Sequence, residues 1–322
     1  MGAVTQDAIS DASAGKPVRR PPAPDGLLVV DKPADWTSHD VVARVRRLAR
    51  TRKVGHAGTL DPMATGVLVL GIGRATRLLT YVVGADKEYR GTIRLGVATT
   101  TDDAEGEVLT RADAAGVTRE AIDAGVAVLT GEIEQVPSSV SAIKVDGKRS
   151  YARVRAGETV DLPARPVTIS TFTVDDVRGA ADDGLGVADV DVTVVCSSGT
   201  YIRALARDLG AGLGVGGHLT ALRRTRVGGY GLDVSATLEA LEPDADEAIL
   251  PLATAARATF PARELSQEEA VLLSYGKRLE VVAAPVGTME RPVAAFAPDG
   301  TLVALLADVE GRSRPVLVFA PA

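Results

Sequence analysis

At 322 residues, with 46% hydrophobic and 24% charged side chains, the chain is long enough for more than one packed core and has an ordinary globular composition. The formal net charge is −6; the one cysteine, Cys196, excludes an internal disulfide and a zinc site built on paired cysteines; and asparagine is absent, so no role can rest on its side chain. The first residues lack the apolar segment of a signal peptide and no apolar run approaches a membrane span, so the cytoplasm is the expected location.

In chain order, residues 1–24 hold four prolines among Ser, Ala and Gly with no hydrophobic periodicity, which predicts a disordered tail without an assigned role. The apolar run at 26–30 predicts a strand. Thr37, with Asp40 three residues on, has the form of a helix N-cap, and Val41, Val42, Val45, Leu48 and Ala49 recur at helical spacing. The other faces of that helix and its end carry Arg44, Arg46, Arg47, Arg50, Arg52 and Lys53 with no acid among them. Arg223, Arg224 and Arg226 form a second basic cluster, while acids collect at 102–107, 182–191 and 239–247. A basic stripe on an acidic chain fits an anionic partner bound at one face, or else a solvated helix face.

The stretch from Val54 to Leu79 organises the rest. Residues 66–72 are an apolar run between glycines, the pattern of a short strand buried on both faces. Ahead of it lies turn chemistry: Gly55, Gly58 and Gly66 allow backbone angles closed to other residues, and Pro62 biases Asp61 towards an extended conformation. This stiff loop presents His56 and Asp61 beside a buried strand, a placement suited to chemistry, although an Asp before Pro is on its own most often a turn former.

Residues 87–96 alternate as a strand with Tyr89, Gly91, Ile93 and Leu95 on one face. The acid-rich segment 99–106 lacks the alternating oxygen ligands of a calcium loop. A helix is predicted over 120–129 and strands over 167–174 and 188–195. Gly199 or Thr200 then caps a helix whose inner face is Ile202, Leu205, Ala206 and Leu209 and which Gly210 ends. Arg203 falls in its first turn, where a cation can reach a carboxylate on a neighbouring loop. Cys196 reads as a buried small residue and not a nucleophile. The run Gly212 to Gly217 has the letters of a dinucleotide fingerprint but follows a helix where that fingerprint must follow a strand, so it is rejected.

Beyond residue 250 come a helix at 266–273 and apolar runs at 279–282, 291–297, 301–307 and 314–319, with Pro298-Asp299-Gly300 as a hairpin turn. The expected organisation is a tail (1–24), a main domain (25–250) and a small β-rich domain (251–322).

The segment Gly-His-Ala-Gly-Thr-Leu-Asp-Pro-Met-Ala-Thr-Gly-Val-Leu (55–68) resembles the signature of the TruB family of tRNA pseudouridine synthases. Further motifs follow in family order: Lys32-Pro33 with Thr37-Ser38, where Asp35 replaces a common Gly; Lys87-x-Tyr89; Thr99-x-Thr101-x-Asp103-x-x-Gly106; Pro137 to Tyr151, with Val140 where Tyr is frequent; Gly199-Thr-Tyr-Ile-Arg203; and His218-x-x-x-Leu222-Arg223-Arg224. The resemblance spans residues 26–235. It implies an α+β fold with a mixed, mainly antiparallel sheet, flanking helices and a C-terminal PUA-like RNA-binding domain.

It further implies that Asp61 is the catalytic nucleophile, that Arg203 pairs with it and that Tyr89 lies against the target base. Tyr201 would hold Arg203 or accept the proton lost from C5, and Leu222 would wall the base pocket. His56 would stack in the space a flipped uridine vacates, Lys32 would touch the RNA, and Arg223, Arg224 and the helix arginines would contact stem phosphates. The expected substrate is the T-loop uridine of tRNA, with no cofactor, no metal, no membrane and no obligate protein partner, the enzyme being a monomer. Isomerisation imports no group and changes no oxidation state, which is why no cofactor is expected. Two rivals are a pyrimidine methyltransferase attacking with Cys196, for which the cofactor-binding turn is missing, and an RNA-binding chaperone without turnover. A guide-dependent rRNA enzyme shares some motifs, but the chain has no long basic tails.

Overall fold

The computed structural model describes residues 20–138, 144–145, 148–149 and 162–320. Most of the expected tail and most of the Pro137 to Tyr151 motif lie outside the described residues. In chain order, β1 (Gly26–Lys32) leads to α1 (Ser38–Leu48), β2 (Val54–His56), β3 (Thr65–Ile72) and α2 (Leu79–Gly84). Next come β4 (Lys87–Leu95), β5 (Val97–Thr99), β6 (Val108–Arg111), α3 (Arg119–Val128), β7 (Gly131–Gln135), β8 (Lys144–Val145) and β9 (Lys148–Arg149). The long hairpin of β10 (Arg165–Asp182) and β11 (Leu185–Cys196) is followed by α4 (Ile202–Gly212), β12 (Gly217–Val227), β13 (Tyr230–Gly231) and β14 (Leu250–Pro251).

The main sheet runs β14-β1-β3-β12-β4-β11-β10-β7, with β2 on β3 and β13 on β12. Every pairing is antiparallel except β3 with β12, so the sheet is mixed and mainly antiparallel as expected. Burial on both faces is realised in β1 and β3. Leu28, Val30, Leu68 and Leu70 pack on one side with Val41 and Val45 of α1. Leu27, Val29, Val67 and Val69 pack on the other. Two-sided burial is why these strands are continuous apolar runs and not alternating ones.

Helix α1 starts with the predicted cap: the Thr37 hydroxyl accepts from the Asp40 amide at 3.1 Å, and the Asp40 carboxylate accepts from the Thr37 amide at 3.0 Å. Helix α4 buries Ile202, Leu205, Ala206 and Leu209. The glycines after it make a tight reversal: a Cβ at Gly210 would lie 2.2 Å from the Gly216 carbonyl carbon. Their role is helix-to-strand approach, which explains a fingerprint-like spelling in the wrong place.

The remaining elements are α5 (Leu252–Thr259), β15 (Ala262–Glu264), α6 (Gln267–Ser274), β16 (Leu279–Glu280), β17 (Val293–Phe296), β18 (Leu302–Val309) and β19 (Arg312–Val318). The five strands form a second sheet in the order β15-β17-β18-β19-β16, and the Pro298 to Gly300 turn joins β17 to β18 as predicted. Helix α5 bridges the sheets, giving Ala255 to the first core and Ala256 to a cluster with Phe296 and Phe319. No helix among the described residues is long and apolar enough to cross a membrane.

Candidate active site

The loop between β2 and β3 is held from three sides by buried polar groups. Lys32, with no exposed surface, donates from Nζ to the carbonyls of Pro33 (2.8 Å), Trp36 (2.6 Å) and Pro62 (3.0 Å). The Ser38 hydroxyl accepts from the Leu60 amide at 2.9 Å. Arg224 donates to the carbonyls of Gly58 (3.1 Å) and Thr59 (3.4 Å), while its Nε reaches Val67 on β3 at 2.7 Å. Gly58 takes the left-handed φ of 91°, which the loop reversal requires. These contacts fix the backbone on both sides of Asp61.

Asp61 faces Arg203. Its Oδ2 lies 3.0 Å from Arg203 Nε; the guanidinium side chain is 5% exposed and the carboxylate 37%. The other edge of the guanidinium is also anchored, with Nη1 3.2 Å from Asp103 Oδ2 and donating to the Thr101 carbonyl at 2.9 Å. Asp103 is itself buried and accepts from the Glu105 amide at 3.1 Å. Arg203 is therefore fixed by a buried acid and can present one edge to Asp61 in a set direction. Burial raises the pKa of neighbouring Glu105, and the charges of Asp103 and Asp61 add to that rise.

A cavity of about 250 Å³ opens beside the pair, lined by Asp61, Tyr89, Tyr201, Arg203, Leu222 and Arg224 among others. That is below the ~300–1,000 Å³ of pockets for drug-sized ligands and is the scale of a single base. Tyr89 is 7% exposed, and burial raises its phenol pKa. Tyr201 is fixed through its backbone, whose amide donates to Gln135 Oε1 at 2.8 Å and whose carbonyl accepts from Gln135 Nε2 at 3.1 Å. Cys196 is buried, and burial pushes its thiol up to about 11, so a thiolate attack from it is disfavoured.

Two expected roles change, those of Lys32 and Arg224. Lys32 cannot touch a nucleic acid: its ammonium is fully buried and engaged with the Asp61 loop. Arg224, 1% exposed, lines the cavity and is out of reach of a stem phosphate. Arg223 is part-exposed but makes a two-pronged ion pair with Asp31 at 2.7 and 3.0 Å. His56, half-buried outside the cavity lining, stands edge-on to His39 with ring centroids 5.7 Å apart, and burial lowers its pKa.

The residue types alone did not reveal Asp103, Gln135 or Lys87 as site residues. Lys87 is the buried cation beneath the cavity, and a buried lysine looks like any surface lysine in a sequence. The basic stripe is also more neutralised than its spacing suggested, because the acidic segment near 242–246 folds against it: Arg44 pairs with Glu242 and Arg50 with Asp246. Among the described residues no cluster of three or more His, Cys, Asp or Glu could hold a metal ion.

Comparison with known proteins bears on this geometry. Residues 46–202 match the model of the TruB family pseudouridylate synthase N-terminal domain, 203–255 that of the tRNA pseudouridylate synthase B C-terminal domain, and 260–320 that of tRNA pseudouridine synthase II, C-terminal. A protein of Arthrobacter sp. (strain FB24) named tRNA pseudouridine synthase B is 65% identical over 300 residues, 92% of this chain and 97% of that one. One of the same name from Streptomyces griseus is 62% identical over 298 residues, 92% and 98%. Among solved structures, an H/ACA RNP bound to a substrate RNA containing 2′-deoxyuridine superposes with a TM-score of 0.68 at 25% identity, covering 92% of this chain and 85% of that one. The archaeal box H/ACA sRNP Nop10-Cbf5 complex gives 0.65 at 25%, covering 92% and 86%. With full-length relatives at this identity, and with an ion-paired aspartate beside a base-sized cavity, the chain belongs to the TruB family of pseudouridylate synthases.

Proposed function

We propose that the chain acts alone on tRNA in the cytoplasm, isomerising the T-loop uridine to pseudouridine with Asp61 as nucleophile and no cofactor. The observation that carries this reading is the Asp61–Arg203 pair at 3.0 Å on the wall of a cavity also lined by Tyr89 and Leu222. The names of the bacterial relatives support tRNA as the substrate.

The reaction breaks the bond from N1 to C1′ and joins C5 to the same carbon; C5 gives up its proton and N1 takes one, so the product is an isomer. A carboxylate can open it by attack on C1′ of the sugar or on C6 of the base. Arg203, anchored by Asp103, aims Asp61, and Tyr89 and Leu222 hold the uracil. The T-loop uridine must first leave its stack, at a cost of a few kcal/mol. His56, in the same loop as Asp61, would occupy the gap, and the small C-terminal domain would add RNA contact.

The test is to incubate an unmodified tRNA transcript with the protein alone and map pseudouridine. Modification at the T-loop uridine is expected, with none from Asp61→Asn. Modification elsewhere would overturn the substrate assignment, and an active Asp61→Asn protein would point to another nucleophile. A parent protein that bound tRNA without turnover would favour the chaperone reading.

A further inference from the structure

We propose that Lys87 and Arg224 form a cationic floor under the cavity which holds the negative charge that the uracil ring acquires during isomerisation. The proposal rests on the reading just given and extends it from the attacking group to the charge on the base.

Both cations line the same cavity as Asp61 and Tyr89. Lys87 begins β4, two residues before Tyr89 on the same face, and is 5% exposed; Arg224 on β12 is 1% exposed. The Lys87 ammonium donates to the carbonyls of Val83 (2.7 Å) and Ala85 (2.6 Å), and Arg224 donates to those of Gly58, Thr59 and Val67. Neither makes an ion pair with a carboxylate among the described residues, and the acid next in sequence, Asp86, is held by Arg226 at 2.9 Å. The backbone of Gly58 passes over both: a methyl group there would lie 3.7 Å from Arg224 Nη1 and 3.8 Å from Lys87 Cε.

Two buried cations with no carboxylate in contact among the described residues, held by carbonyl dipoles and, for Arg224, by the Tyr89 hydroxyl, are costly. Burial, with Arg224 close by, lowers the Lys87 pKa to about 8. Such an arrangement becomes favourable when an anion enters, and the reaction supplies one. If Asp61 attacks C1′, a carboxylate oxygen bonds to that carbon, the N1–C1′ bond breaks and its electron pair stays on the ring, shared by N1 and the two carbonyl oxygens. If Asp61 attacks C6, the C5=C6 electron pair moves onto C4–O4 as an enolate. In the first route C5 then attacks C1′ and the bond from Asp61 to C1′ breaks; in the second the N1–C1′ bond breaks, C5 takes C1′, and loss of the C5 proton expels Asp61 from C6. In both routes the ring is negative before C5 bonds to C1′, C5 ends without its proton and N1 ends with one. Preset cations beside a small cavity stabilise charge that develops in it without reorganising.

The experiment compares the parent and Lys87→Met under single-turnover conditions on tRNA transcripts carrying uridine or 5-fluorouridine. Fluorine withdraws electrons and stabilises the ring anion by itself, so 5-fluorouridine should depend less on the floor. For Lys87→Met we expect tRNA affinity within about threefold of the parent, uridine conversion slowed about a hundredfold, and 5-fluorouridine consumption slowed about tenfold or less. Lys87→Gln, which can still donate to a backbone carbonyl, replaces the methionine variant if that one fails to melt cooperatively, with the same expectations. A parent rate on uridine, or an equal loss on both substrates, overturns the floor while leaving Asp61 chemistry intact. A parent protein that makes no pseudouridine sinks the functional reading instead.

Discussion

Lys32 is among the largest side chains with essentially no exposed surface, and it holds the loop that carries Asp61. Replacing it with Met leaves the carbonyls of Pro33, Trp36 and Pro62 without that donor, which should cost about 1–3 kcal/mol and lower turnover by loosening the loop. Denaturant unfolding and a turnover assay read both effects. A pH dependence follows. Burial lowers the Lys32 pKa from 10.5 to about 8. Below the lower value the folded state carries the full penalty of that burial. Between it and the unfolded value the unfolded chain binds more protons, so stability rises with pH. The stability of the parent relative to Lys32→Met should therefore increase across that window, and a flat or falling difference would show that Lys32 is not held this way. Lys87 shifts in the same direction but is common to both proteins and cancels.

At the scale of elements, the pairing of β3 with β12 joins the Asp61 loop to the floor of the cavity, and it depends on Gly66. Its φ is 98°, and a Cβ there would lie 2.1 Å from the Arg224 carbonyl oxygen, with Arg224 and Gly66 in register. Gly66→Ala should cost at least about 3 kcal/mol, combining an unfavourable backbone angle with a clash against a central strand. Thr37→Ala, which removes only the α1 cap, should cost about 1 kcal/mol. Urea midpoints rank the two, and the opposite order would refute this account of the strand pairing. The same elements mark what a sequence can carry. The α1 cap and the doubly buried β1 and β3 are local patterns and were legible. Strand β12 was not, although it lies mid-sheet, because its register shifts between Leu219 and Ala221 and between Arg224 and Arg226, and three arginines break up its hydrophobic pattern. Those arginines are tolerable only because Asp31, Asp86 and the Gly58 and Val67 carbonyls reach them from distant segments. The Asp61–Arg203 encounter could be expected from motifs, whereas the acid behind Arg203 and the cations under the cavity need the assembled sheet.

For the whole molecule the question is how a chain of net charge −6 would hold tRNA. Six cations between residues 44 and 53 suggest a strong phosphate face. Folding withdraws Arg44 and Arg50 into pairs with Glu242 and Asp246, and turns Arg46 to the Val54 carbonyl at 3.1 Å. Arg47, Arg52 and Lys53 remain exposed, and none of them is ion-paired among the described residues. The acidic segment thus limits how many cations of this face are free to meet phosphates. Each cation freed to meet a phosphate should release nearly one counterion. The double variant Glu242→Gln/Asp246→Asn should therefore bind tRNA more tightly and steepen the slope of log affinity against log salt by about one to two. Titrations at several salt concentrations, with melting curves to confirm folding, measure it. A tighter complex with an unchanged slope would mean that these arginines do not meet the backbone, and the RNA would have to approach the cavity across another face.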